Sequence, residues 1–125
     1  MGNKAVVVVE DDESIREALT LILQMEGYNV TQYTDGLKLI NNFEIIPDIY
    51  LIDRLLSGID GLDLCKHIKN NDKTAHVPVI ILSATPGLEN MSRNAGASGF
   101  IEKPFTKKLL MFTIQDTLMQ AKKVN

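Results

Sequence analysis

Cysteine is almost absent from this chain. Cys65 is the only one among 125 residues, so no internal disulfide can form, and a reducing, cytoplasmic setting is expected. Cys65 falls on the apolar side of a helical pattern, where it reads as a small buried hydrophobe and not as a reactive thiol. Long apolar runs are absent too. The longest, Ala5 to Val9, is a strand's length, against the ~20 residues needed to span a bilayer. No signal peptide is read ahead of it, and no membrane association is expected. The start "MGNKAV" has Gly2, but Val6 stands where a myristoylation signal wants Ser or Thr. No block of basic residues occurs and the net charge is −3, which argues against a surface built to hold nucleic acid directly. No linker, internal repeat or low-complexity stretch interrupts the chain.

What remains is the balance of an ordinary globular domain, 45% hydrophobic and 23% charged, long enough for one core without staples. Short apolar runs alternate with longer periodic segments. "KAVVVVE" (4–10), "YNVTQY" (28–33), "DIYLID" (48–53), "VPVIILS" (77–83) and "GFIE" (99–102) read as strands. Between them, Ile15, Leu19, Ile22 and Leu23 recur at helical spacing, with Asp12 to cap the start and Gly27 at the stop. "DGLKLINNFEI" (35–45) reads as a second helix closed off by Pro47, and "LDLCKHIKNND" (62–72) as a third, with Leu64, Cys65 and Ile68 on one face. "TPGLENMSRNAG" (85–96) is polar and weakly periodic, so any helix there is short or loosely held. "TKKLLMFTIQDTLMQAKK" (106–123) is a last helix with Leu110, Ile114, Leu118 and Ala121 inward. Five strands alternating with five helices predict an α/β fold: a doubly wound parallel sheet with helices on both faces. Such folds bind ligands at the carboxyl ends of their strands.

Those ends carry the chemistry. The first strand runs into Glu10, Asp11 and Asp12, the third ends in Asp53, the fourth in Ser83, and the fifth in Glu102, Lys103 and Pro104. In a parallel sheet these groups crowd one edge. Clustered carboxylates repel one another, which raises pKa values or draws in a cation. Hard oxygen ligands with room for water suit Mg²⁺. Acids, a cation, a lysine and a hydroxyl together can stabilise a phosphoryl group in transfer. Asp53 is then the natural acceptor, since an aspartate carboxylate can act as a nucleophile. Plainer readings cover part of the set. Asp12, Glu13 and Asp60 precede helices and read as caps or dipole partners. Lys103 alone would be an ordinary solvated lysine, and His67 and His76 read as surface residues. The plain readings do not explain Glu10 and Asp11 together with Asp53.

Taken in order, "VVVVEDDESIREAL", "DIYLIDRLLSGIDGLDLCKHIK", "VPVIILSA" and "GASGFIEKPF" resemble the receiver domain of bacterial two-component response regulators, chemotaxis-regulator-like, over the whole chain. The resemblance implies a single receiver domain over residues 1–125, with the flavodoxin-like strand order 2-1-3-4-5. It implies Asp53 as phosphoacceptor, Asp11 as direct Mg²⁺ ligand, Glu10 as its neighbour acting mostly through water, and the backbone carbonyl of Leu55 completing the protein's share of the shell. Mn²⁺ is expected to substitute for Mg²⁺. Ser83 would bond a phosphoryl oxygen, Ala84 would leave that oxygen accessible, Lys103 would pair with the phosphoryl group, and the Lys103–Pro104 bond would be cis. Phe100 stands at the aromatic switch. Lacking a hydroxyl, it is expected to turn inward even at rest. Arg54 and Thr85 occupy variable positions that tune the lifetime of the phosphoryl group.

The implied function is a phosphorylation-dependent signalling switch, fed by a sensor histidine kinase or a phosphotransfer protein, or by a small phosphodonor. It would be no enzyme beyond its own phosphorylation and dephosphorylation. The sequence does not specify the output partner, and a monomer or weak dimer is expected. The chain departs from the pattern at Ser57, where a proline is usual, and in the shortened stretch from Ser83 to Gly96. Pro86 and Gly87 should shorten, displace or loosen the fourth helix, which puts dimerisation through it in doubt. The main alternative is a degenerate receiver that binds proteins without phosphorylation, against which the retained site residues argue. A haloacid-dehalogenase-like phosphatase would need an acid where Leu55 stands. A flavodoxin-like flavin binder would need a Ser-, Thr- and Gly-rich loop in place of "EDDESI".

Overall fold

A computed structural model describes residues 3–43 and 45–124. The elements alternate without exception: β1 (Ala5–Val9), α1 (Glu13–Met25), β2 (Asn29–Tyr33), α2 (Gly36–Ile40), β3 (Ile49–Asp53), α3 (Gly61–Asn70), β4 (Val79–Ser83), α4 (Glu89–Asn94), β5 (Gly99–Glu102) and α5 (Lys107–Val124). The strands form one parallel sheet in the order β2-β1-β3-β4-β5, the doubly wound, flavodoxin-like arrangement.

The apolar runs are continuous because the sheet is covered on both sides, and alternate residues feed two separate cores. Val7, Val9, Tyr50, Ile52, Val79 and Ile81 pack with Leu39 of α2, with Leu62, Leu64, Cys65 and Ile68 of α3, and with Ala95. Val6, Val8, Ile49, Leu51, Ile80 and Leu82 pack on the other face with Leu19 and Leu23 of α1 and with Leu110, Met111 and Ile114 of α5. Each such side chain, fully buried, contributes about 1.5–3 kcal/mol. Every residue of β3 and β4 is buried. Cys65 is fully buried, and burial pushes its thiol up to about 11, consistent with a packing role.

Several boundaries differ from the sequence reading, each for a local reason. α2 spans Gly36–Ile40 and stops short of the expected 35–45. Asp35 caps its start by accepting from the Lys38 N–H, and Asn41 caps its end. Asparagines 41 and 42 favour turns over helix interiors, and Glu44 lies outside the described residues. β4 begins at Val79 because Pro78 has no N–H to donate, although its carbonyl accepts from Tyr50 N. In α1, Ile15 stays 39% exposed and Thr20 joins Leu19 and Leu23 in the buried stripe. α4 has six residues and no side-chain cap, preceded by Gly87 at φ 79°. The shortness follows from Pro86 and Gly87.

Candidate functional site

The ladder places the site. β1 pairs with β3 so that Val9 stands opposite Ile52, which sets Glu10 beside Asp53. Hydrogen bonds continue past the strand ends: Glu10 N donates to Tyr33 O at 3.1 Å, Arg54 N to Leu82 O at 2.8 Å, and Lys103 N to Ser83 O at 2.8 Å. The ladder thus extends one residue into the carboxyl edge. Asp53 and Glu10 are 6% and 1% exposed, unusual values for acids.

A carboxylate oxygen from each of Glu10, Asp11 and Asp53 lies within 4.8 Å of the others. Lys103 reaches in from the end of β5. Its Nζ donates to Asp53 Oδ1 at 2.7 Å and lies 3.5 Å from Glu10 Oε1. Burial pushes the Glu10 carboxyl above its ordinary value. The Asp12 N–H pulls it down, the Asp53 charge pushes it up, and Lys103 pulls it down again. For Lys103, burial acts to lower the ammonium's pKa. The hydrogen bond and charge of Asp53, followed by the charge of Glu10, outweigh that and leave it raised.

Glu10 Oε2 accepts from Asp12 N at 3.2 Å, whereas the buried Oε1 has no hydrogen-bond donor among the described residues. Three oxygens of hard donors, one of them buried and met only by the 3.5 Å ion pair with Lys103, suit a small divalent cation that keeps part of its water. The cluster thus fits Mg²⁺ in donor type and number.

Other residues singled out from the sequence lie around this core. Ser83 is buried at the end of β4, one position past the Asp53–Leu82 pair, and its Oγ accepts from Thr85 N at 3.0 Å. Ala84 and Thr85 are exposed. Leu55 is 62% exposed in the loop after β3. Arg54 pairs with Asp60 at 3.5 Å. Asp60 caps α3 through Leu62 N, and Asp12 caps α1 through Ile15 N. Phe100 is half-buried against the α3-side core. The Lys103–Pro104 peptide is cis. His67 and His76 are exposed.

Three supports escaped the sequence reading. Arg16 Nη1 donates to the Glu10 carbonyl at 3.0 Å, tying α1 to the end of β1. Gly61 packs directly on the Asp53 carbonyl, leaving no room for a Cβ. Ser57 donates twice to Asp11. Arg16 and Gly61 turn back onto the strand that precedes their own helix, and Ser57 bridges two loops, so no residue pattern announces them.

A doubly wound sheet with a buried acid, two neighbouring acids and a lysine at its carboxyl edge defines a signalling module of the receiver type. The chain belongs to the response regulator receiver domain family, whose profile matches residues 6–115. Curated relatives include the transcriptional regulatory protein CseB of Streptomyces coelicolor, 40% identical over 116 residues. That match covers 90% of this chain and 48% of CseB. The phosphate regulon regulator PhoB of Escherichia coli is 33% identical over 115 residues, covering 90% of this chain and 50% of PhoB. The chain thus spans about half the length of these relatives. Among solved structures, chemotaxis response regulator CheY4 of Vibrio cholerae aligns with a TM-score of 0.86 at 25% identity, covering 93% of this chain and 99% of that one. The receiver domain of sensor histidine kinase PA1611 from Pseudomonas aeruginosa, solved with magnesium coordinated in its active-site cleft, aligns with a TM-score of 0.86 at 25% identity. It covers 94% of this chain and 98% of its own. Among the described residues, no helix is long and apolar enough to cross a membrane.

Proposed function

We propose that residues 1–125 act as one phosphorylation-dependent switch in which Asp53 accepts a phosphoryl group. The observation that carries this reading is the placement of Asp53. Its carboxylate ends a fully buried strand, 2.7 Å from Lys103 Nζ and within 4.8 Å of ligand oxygens of Glu10 and Asp11.

An Asp53 oxygen attacks the phosphorus of a phosphohistidine on a sensor kinase or phosphotransfer protein. The O–P bond forms, the N–P bond breaks, and the imidazole leaves with the electron pair of that bond. Glu10, Asp11, Asp53 and the Leu55 carbonyl would hold Mg²⁺, with Mn²⁺ as a substitute. The ion supplies charge neutralisation for the transferring oxygens. Lys103 already contacts Asp53 and would follow the new phosphoryl oxygens as a point charge. Ser83 would exchange its Thr85 N–H contact for one in which its hydroxyl donates to a phosphoryl oxygen. Ala84 would add no bulk beside that oxygen, and Arg54 and Thr85 would tune the lifetime of the phosphoryl group. Hydrolysis of the aspartyl phosphate resets the switch. Movement of Ser83 would be read by Phe100, whose half-buried setting agrees with an inward ring at rest, and passed to the face that meets the output partner.

Beryllofluoride with Mg²⁺ tests the switch without turnover. Amide spectra should shift around Asp53, Ser83 and Phe100, and Asp53→Ala should abolish the shifts. An unresponsive wild-type spectrum would favour a degenerate receiver that works by binding alone.

A further inference from the structure

Asp11 and Ser57 are 46 residues apart, in the loops that follow β1 and β3. The backbone N–H of Ser57 donates to Asp11 Oδ2 at 3.2 Å, and its hydroxyl donates to the same oxygen at 2.9 Å. Among the described residues the Asp11 carboxylate accepts no other hydrogen bond. The three acids of the cluster are held in different ways. Glu10 and Asp53 are buried and fixed by packing and by Lys103, whereas Asp11 is exposed. An exposed aspartate samples several rotamers, and fixing one costs conformational entropy at the moment a ligand binds.

We propose that Ser57 is a positioning residue for the metal site. Its two donors occupy Oδ2 of Asp11 and hold the carboxylate so that Oδ1 is left to the cation. The proposal rests on reading the acidic cluster as the Mg²⁺ site. A carboxylate ligand is typically oriented by such an outer hydrogen bond, and removal of the outer partner costs about 10–100-fold in metal affinity. The arrangement needs a backbone N–H and a hydroxyl on one residue. A proline, usual at this position in receiver domains, has neither the N–H nor the hydroxyl, and alanine keeps only the N–H. The contact also ties the β3–α3 loop, which includes Leu55, to the metal ligand, so cation binding and order in that loop favour each other reciprocally.

The test is Mg²⁺ titration of the full chain followed by amide chemical shifts, for the wild type, Ser57→Ala and Ser57→Thr. Urea unfolding without Mg²⁺ checks that the variants are folded. Ser57→Ala should raise the Mg²⁺ Kd by about ten-fold, the lower end of the range because one donor remains. Ser57→Thr, which keeps the hydroxyl, should restore the wild-type value. An unchanged or tighter Kd in Ser57→Ala overturns the proposal, and so does equal weakening in both variants, which would assign the effect to the loop and not to the hydroxyl. A wild-type chain that takes up no Mg²⁺ overturns the metal reading itself and this inference with it. The wild-type titration alone exposes that failure.

Discussion

Lys103 Nζ stands 2.7 Å from Asp53 Oδ1 and 3.5 Å from Glu10 Oε1, one cation serving two buried acids. Its raised pKa reflects both contacts. Lys103→Met would leave Asp53 and Glu10 facing each other without a counter-charge. Breaking a buried charge pair from one side is costly, and Lys103 keeps 20% of its side chain in solvent. A loss of about 1–3 kcal/mol is expected. Added Mg²⁺ should recover more stability in this variant than in the wild type, because binding to the folded state stabilises it and the competing cation is gone. Urea titrations with and without Mg²⁺ check both statements.

The pH response follows from Glu10 and Lys103 with opposite acid–base characters. Glu10 is raised above its ordinary value of 4.5, so between that value and its folded pKa the native state binds more protons than the unfolded state. Stability from this group falls as pH rises through that window. Lys103 is raised above 10.5, so its contribution is fully present below that value and is lost as pH rises through the folded pKa. Glu10→Gln should flatten the acidic window and narrow the alkaline one, which Asp53 alone then sustains. Unfolding free energies measured across both ranges without Mg²⁺ decide this; an unaltered acidic slope would contradict it.

Gly61 is the support that makes the acceptor's position possible. A Cβ there would collide with the Asp53 carbonyl and with Arg54 Cα, both backbone. Its N–H also donates to Arg54 O at 2.9 Å. Gly61→Ala should destabilise by about 1–3 kcal/mol through overpacking. It should also weaken Mg²⁺ binding, because the displaced atoms belong to Asp53 itself. A variant as stable as the wild type with unchanged Mg²⁺ affinity would show that the loop yields freely.

Tyr50 offers a contrast within the core. It is fully buried, its hydroxyl finds no hydrogen-bond partner among the described residues, and burial pushes it up to about 12. Tyr50→Phe removes an unsatisfied polar group at little change of shape. It should leave stability unchanged or raise it by about 1 kcal/mol. A marked loss in thermal or urea unfolding would mean that the hydroxyl is satisfied after all, by water.

The strands were legible because each is an apolar run buried on both faces, and the acids at their ends stand out against that background. Asp12 and Asp60 were legible as caps from their spacing alone. The end of α2 was not, because "LINNF" continues an apolar pattern past Asn41 while the asparagines turn the chain. Ile15 matched the helical period yet stayed exposed, since period says which residues share a face but not where the sheet stops covering it. Gly61, Arg16 and Ser57 were invisible for one reason. Their contacts depend on how the chain turns at the sheet's carboxyl edge, which residue spacing does not specify. Ser57 stands out in the sequence only as a missing proline, because its bond to Asp11 spans two loops that the fold brings together.

A switch of this kind requires that Asp53 becomes phosphorylated. Intact-mass measurement after incubation with acetyl phosphate, with and without Mg²⁺, tests it most directly. The expected result is a gain of one phosphoryl group that needs Mg²⁺, is lost in Asp53→Ala, and disappears on standing as the acyl phosphate hydrolyses. A wild-type chain that gains no mass, or an Asp53→Ala chain that gains it equally, would rule out Asp53 as the phosphoacceptor.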